Sequence, residues 1–240
     1  MARLPPDHPS RHPLGHYSVD TEVTGITGRP SPRRLLDILE RSVVRYTGWP
    51  PFRIPTAPAL APVCDEDGVA CWLGNPDANR LFTDAGLSDY WRASTDGRLY
   101  LQSGYQEDGS GTLQPGRVFD VILPIWRAGE LLAHAAGFAR AMGAAEDAGI
   151  NLRLRYTGLE GRDLVSWAKP ADRGLVVGVH RSRLPEAHLA VRATPARIAE
   201  DLPGLVHQLL APLYGRFDGY VLDRALVERE VQEMEGRKRP

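Results

Sequence analysis

The sequence predicts an α+β fold with a mainly antiparallel sheet, and three observations carry that expectation. Period-2 patterns of strand length fall in two clusters. Each cluster is followed by a longer segment whose apolar residues recur at helical spacing. Strict strand–helix alternation, the mark of a doubly wound parallel sheet, is missing. Two clusters of strands followed by a helix suggest a duplicated three-strand-plus-helix unit, although no residue-level repeat is detectable.

A chain of 240 residues, 42% hydrophobic and 25% charged with a formal net charge of −1, has the composition of one globular domain. That balance argues against coiled-coil, collagen-like and disordered chains. The whole-chain basicity typical of nucleic-acid binders is also missing. No apolar run reaches the ~20 residues of a membrane span and no charged-then-apolar leader opens the chain, so the expectation is a cytoplasmic protein with no membrane partner. All but two of the 29 basic residues, Lys169 and Lys238, are arginine.

Taken in order, residues 1–30 carry Pro5, Pro6, Pro9, Pro13 and Pro30 and read as a flexible tail. His8, His12 and His16 recur every fourth residue, but Pro9 and Pro13 forbid the helix that would align them as metal ligands. The expected domain is 31–235, with 236–240 a basic C-terminal end. Ser31-Pro32 is an N-cap with proline at the first helical position, and Leu35, Leu36, Leu39 and Val43 extend that helix over 32–46. Prolines then make 48–62 an extended connector, with Trp49 and Phe52 either anchoring it or offering an aromatic contact to a partner.

Strands are predicted at 69–73, 99–105 and 118–123, with a short helix at 81–90. A long helix spans 127–145. Strands follow at 152–156, 164–167, 175–179 and 189–193. A last major helix starts at Thr194-Pro195, and Pro203 should kink or split it. A two-residue loop at Asp67-Gly68 would set Cys64 opposite Cys71, a pair that a reducing compartment keeps as thiols. Two cysteines make no zinc site, and neither a metal nor any other cofactor is expected.

The middle of the chain carries a run of signatures: Tyr46-Thr47-Gly48-Trp49-Pro50-Pro51-Phe52, Cys71-Trp72-Leu73-Gly74, Asp89-Tyr90-Trp91-Arg92-Ala93-Ser94 and Gly104-Tyr105-Gln106-Glu107-Asp108. Pro124-Ile125-Trp126-Arg127-Ala128-Gly129-Glu130, Arg155-Tyr156-Thr157-Gly158-Leu159-Glu160-Gly161-Arg162 and Leu210-Ala211-Pro212-Leu213-Tyr214 continue it. Over roughly 32–235 the chain resembles the C-terminal companion region of bacterial proteins that begin with a Schlafen-like AlbA-type DNA-binding domain. Those proteins are labelled ATP-binding proteins or transcriptional regulators. The nucleic-acid label belongs to their N-terminal domain, for which this sequence has no room, so the resemblance implies a bacterial companion domain without an assigned role.

No Walker loop, GxSxG elbow or HExxH pair is present. A helix starting near 127 puts Arg127, Glu130 and His134 along one face, either as an acid–base site or as an ion pair beside a packed histidine. Glu107 and Asp108 end a strand and form an acid pair expected to bind Arg127 or Arg92. Trp91-Arg92 offers an aromatic beside a guanidinium, suited to stacking on a base or to packing at a core edge. Arg153 and Arg155 share the outer face of one strand, with Arg162, Arg181 and Arg183 expected nearby, where a phosphate can bind. Exposed aromatics are missing from that strand, since Tyr156 points inward. Acids outnumber bases ten to four over 63–120, and bases outnumber acids seven to three over 151–183. The balance favours a non-catalytic regulatory module that contacts a protein partner. The alternatives are a nucleic-acid-binding regulator using the arginine face, and an enzyme using Glu130 and His134.

Overall fold

The computed structural model describes residues 12–47, 49–73, 89–169 and 174–237. Its centre is a seven-stranded antiparallel sheet built from β1 (His16–Val23), β2 (Val63–Cys64), β3 (Gly68–Leu73), β4 (Asp89–Ser94), β5 (Arg98–Gly104), β7 (Ile150–Thr157) and β9 (Glu186–Ala193). The strand order is β2-β3-β4-β5-β1-β7-β9. Strands β6 (Val118–Asp120) and β8 (Asp163–Val165), one from each predicted cluster, leave the sheet and pair with each other in parallel. Five α-helices complete the described fold: α1 (Pro32–Ser42), α2 (Leu123–Ala141), α3 (Pro195–Glu200), α4 (Leu202–Tyr214) and α5 (Arg224–Gly236). The fold is α+β, as the pattern predicts.

One sheet face is apolar because every second residue is. Val19, Leu101, Leu152, Leu154 and Leu189 all point to it, and α1, α2 and α4 pack there. Helix α2 is buried along most of its length, including Ile125, Leu132, Ala135 and Phe138, which makes it the spine of the core. Ser31 caps α1 through its hydroxyl, which accepts from Arg34 N at 3.4 Å. The predicted last helix is split: α3 ends at Glu200, Asp201 caps α4, and Pro203 sits in the first turn of α4.

Several expectations are corrected. Residues 1–30 are not all tail, because His16–Val23 forms an interior strand of the sheet, hydrogen-bonded between β5 and β7. Tyr17, Val19, Thr21 and Val23 supply its inward stripe, a pattern that the neighbouring prolines obscured. Residues 175–179 form no strand, and Val177 and Val179 stand 79% and 73% exposed. The predicted helix at 81–90 falls mostly outside the described residues, and its last two positions, Asp89 and Tyr90, open β4. Strand β6 stops at Asp120, so Leu123 already belongs to α2. Cys64 pairs with Val69 rather than Cys71, and both thiols are free.

Candidate ligand-binding cleft

The connector after α1 is strapped to α2, and the cleft forms where they meet the sheet. Glu130, fully buried one turn after Arg127, accepts from Thr47 N at 2.9 Å, Thr47 Oγ1 at 2.6 Å and Arg127 Nη1 at 2.8 Å. Arg127 Nη1 also donates to Thr47 Oγ1 at 3.1 Å and to Trp49 O at 2.8 Å. Trp49 Nε1 donates to Asp89 Oδ2 at 2.7 Å, tying the connector to β4. Trp91 Nε1 donates to Arg53 O at 2.9 Å, and Phe52 is buried. The connector's aromatics therefore serve as anchors.

Beneath this strap lies a cleft with about 620 Å³ of empty space counted out to its open mouth. Trp49, Pro50 and Pro51 line one part of it; Leu101, Phe119, Leu123, Leu131 and Tyr156 line others. Polar groups on it include Tyr17, Asp89, Ser103, Glu107, Arg127 and Glu130. Arg127 and Asp89 are among those whose hydrogen-bonding capacity the described residues leave unspent. Arg127 puts all its hydrogen bonds on Nη1, leaving Nε and Nη2 with none. Asp89 Oδ1 is buried without a well-formed hydrogen bond: the Ser103 hydroxyl is close enough to lower the Asp89 pKa, but its own bond goes to Gly104 O at 3.3 Å. Orphaned buried polar atoms are rare enough in folded proteins to need a reason.

The cleft is electrostatically tense. Burial raises the Asp89 carboxyl above the usual carboxylate range, against the lowering effects of Ser103, Trp49 and Arg127. Burial, reinforced by Asp120, pushes Glu107 up to about 7. Burial likewise holds the Tyr17 phenol protonated, with a pKa of about 12, despite Arg127 nearby.

The predicted site residues divide. Arg127 and Glu130 come together as an ion pair with Glu130 in the cleft, but His134 does not join them. Its ring is fully buried between Phe52, 4.7 Å away and nearly parallel, and Phe138 at 6.5 Å. Neither ring nitrogen makes a well-formed hydrogen bond, the backbone of Ser42 being the polar group nearby. Desolvation lowers its pKa to about 4, so the ring is neutral and dry. An acid–base pair of Glu130 and His134 is not formed.

Asp108 binds neither Arg127 nor Arg92. Its partner is Arg162, which is 0% exposed and spends all five N–H donors. Nη1 and Nη2 hold the Asp108 carboxylate at 2.8 and 2.6 Å, and Val118 O, Leu14 O and Gly158 O take the rest. Its guanidinium also lies 4.5 Å from the centre of the Tyr105 ring. Arg162 is a structural clamp closed to any phosphate. Glu107 Oε1 accepts from Asp120 N at 3.1 Å and faces the cleft, so the two neighbouring acids serve different sites.

Trp91 and Arg92 lie on opposite sheet faces, Trp91 buried and Arg92 pointing out in a two-pronged pair with Asp65. They cannot clamp one base. Arg153 and Arg155 do share the outer face, but Arg155 is held by Glu186 at 2.7 Å and Arg153 interacts with Asp20. Of the two other arginines, Arg181 pairs with Asp163 and Arg183 with Asp218. The outer-face aromatics Tyr90 and Trp72 lie away from the arginine strand, Tyr90 three strands and Trp72 four strands from β7. The sheet register aligns Trp72, Tyr90, Gln102, Ser18, Arg155 and His188 in one outward row. Among the described residues no group of three or more His, Cys, Asp or Glu side chains is placed to hold a metal ion, and no helix is long and apolar enough to cross a membrane.

Tyr17 and Asp89 are among the cleft residues that escaped the sequence reading. Asp89 shares the buried parity of Trp91 and Ala93, so an acid on an inward stripe was its signal. Tyr17 lay in the segment read as tail. Compared with known proteins, the chain matches no family model, no curated protein and no solved structure.

Proposed function

We propose that the protein is a non-catalytic binding module that takes a small organic ligand in the cleft between the 46–54 connector, α2 and the sheet. The observation that supports this is the pair of unspent groups there, Arg127 Nε/Nη2 and Asp89 Oδ1, within apolar and aromatic walls. Ligand sites are typically apolar concavities with a few convergent polar groups. The alternative catalytic reading loses its base, because His134 is packed dry. A regulatory role in a bacterial cytoplasmic system, coupled to a protein partner, and kinship with the companion region of AlbA-type regulators belong to the same proposal.

A fragment screen by ligand-observed NMR tests it, run on the wild type and on Arg127→Met. Fragments that compete for one site and lose binding in the variant support the reading. Fragments that bind equally well to both, or a screen without hits, would count against it.

A second reading places single-stranded nucleic acid on the outer sheet face, favoured by the row that brings Trp72 and Tyr90 into line with Arg155. Stacking aromatics beside arginines suit such a ligand. Its weakness is that Asp65 and Glu186 already pair with Arg92 and Arg155. Replacing Arg153 and Arg155 by Glu should then abolish a salt-sensitive interaction with oligonucleotides; retention of that binding in the double variant excludes this face.

A further inference from the structure

Resting on the cleft reading above, we infer that the cleft selects neutral planar ligands bearing an amide or lactam edge, in preference to carboxylates or amidinium cations. The argument starts from what the cleft leaves unsatisfied. Arg127 offers the side of its guanidinium that carries Nε and Nη2, a donor edge. Asp89 offers Oδ1, an acceptor when the carboxyl is ionised. The two groups are close enough to shift each other's ionisation. One ligand edge carrying a C=O beside an N–H satisfies both, the carbonyl taking the guanidinium protons and the N–H reaching Asp89.

Charge decides against the two ionic competitors. The positive charge of Arg127 is already met by Glu130 at 2.8 Å, so an incoming anion finds no uncompensated cation. Among the described lining residues it finds no second cation, and where Arg127 beside it keeps Asp89 ionised, the anion's second oxygen would oppose Asp89 Oδ1. A carboxylate would therefore need a proton taken up on binding. An amidinium meets Asp89 well but sets its own charge against Arg127 in a desolvated site. With Asp89 ionised, a neutral amide binds without any proton being taken up or released. The walls of Trp49, Pro50 and Phe119 suit a planar body.

The test uses three probes that share one ring and differ only at the edge: benzamide, benzoate and benzamidinium. Each is titrated at pH 7 into the full-length protein by ligand-observed NMR, with toluene as the ring lacking any edge. Benzamide should bind at least tenfold more tightly than either ion. Asp89→Asn supplies the second arm. Trp49 Nε1 donates to Oδ2 in the wild type, so the carboxamide oxygen introduced by Asp89→Asn would keep that bond and turn its NH2 into the cleft. The orphan acceptor then becomes a donor, and the preference should swing to benzoate by at least tenfold.

A wild type that prefers benzoate or benzamidinium, or an Asp89→Asn variant with an unchanged order of preference, overturns the amide inference while the cleft still binds. If all four probes, toluene included, fail to bind at millimolar concentration, the cleft reading itself falls and the inference goes with it.

Discussion

Replacing His134 by Phe should stabilise the protein and remove one component of its acid sensitivity. The imidazole is fully buried, stacked on Phe52 at 4.7 Å, and its pKa falls from 6.5 to about 4 because burial disfavours the charged ring. In the unfolded chain the ring takes a proton near pH 6.5, whereas the folded protein refuses it until about pH 4. Stability supplied by the neutral ring is thus fully present above about pH 7 and is lost as pH falls towards 4. At about 1.4 kcal/mol per pKa unit, the loss across that window is roughly 3 kcal/mol. Phenylalanine has no such titration. It also removes two ring nitrogens that lack well-formed partners, worth ~1–3 kcal/mol when such a group is left buried, against ~1 kcal/mol for the slightly larger ring. The assay is urea unfolding, followed by tryptophan fluorescence, of wild type and variant at half-unit steps from pH 4 to 8. Other titrating groups cancel in the difference between the two curves. That difference should be flat above pH 7 and should widen by roughly 3 kcal/mol by pH 4. Parallel curves throughout would show that the ring is hydrated or charged and that the dry-core assignment of His134 is wrong.

Glu107→Gln should show the opposite pH dependence. Glu107 holds its proton to about pH 7 when folded but only to 4.5 when unfolded, so wild-type stability drops as pH rises through that interval, and the variant should gain roughly 3 kcal/mol on it between pH 4.5 and 8. A constant difference in urea unfolding would refute this. Arg162→Met leaves the Asp108 carboxylate buried without its partner and should cost ~3–5 kcal/mol, read as a fall in the urea midpoint; a cost under ~1 kcal/mol would mean the pair is solvated. Gly158 has φ +65°, and a Cβ there would sit 2.2 Å from Leu14 O, so Gly158→Ala should destabilise by more than ~1 kcal/mol in thermal unfolding. A stabilised variant would show that the 14–15 and 157–158 segments are not in close approach.

Period-based features were the legible part of the fold. Helix α2 and strand β7 were readable because Leu131, Leu132, Ala135 and Phe138, and Leu152, Leu154 and Tyr156, repeat at the spacing of the element they build. What local pattern cannot carry is pairing across distance. Nothing around Arg162 announces that its carboxylate lies 54 positions back, so a clamp resembled an exposed phosphate ligand. The outer row from Trp72 to His188 exists only once five strand registers are known. The helical face of Arg127, Glu130 and His134 was real as angular arithmetic. It failed as a site because residues a turn or two apart along α2 meet different neighbours: the connector and cleft at Glu130, the Phe52 and Phe138 rings at His134. Part of the cleft was nonetheless within reach, since Arg127, Glu130, Trp49 and Glu107 were all singled out.

Strand β1 sits between β5 and β7, with His16 opposite Gly104 and Tyr17 opposite Tyr156. During synthesis this segment emerges early and must wait for more than a hundred residues before its second neighbour is available. Once β5 is made, β1 can pair with it, but until β7 follows the other edge of β1 stays unpaired, a surface open to premature pairing with other chains. Such long-range closure also makes folding slow. Once inserted, the strand couples the two halves so that neither can open without breaking its ladder. Amide protons of residues 17–23 should then be among the slowest to exchange, and loss of β1 should cost the whole sheet rather than one strand of it.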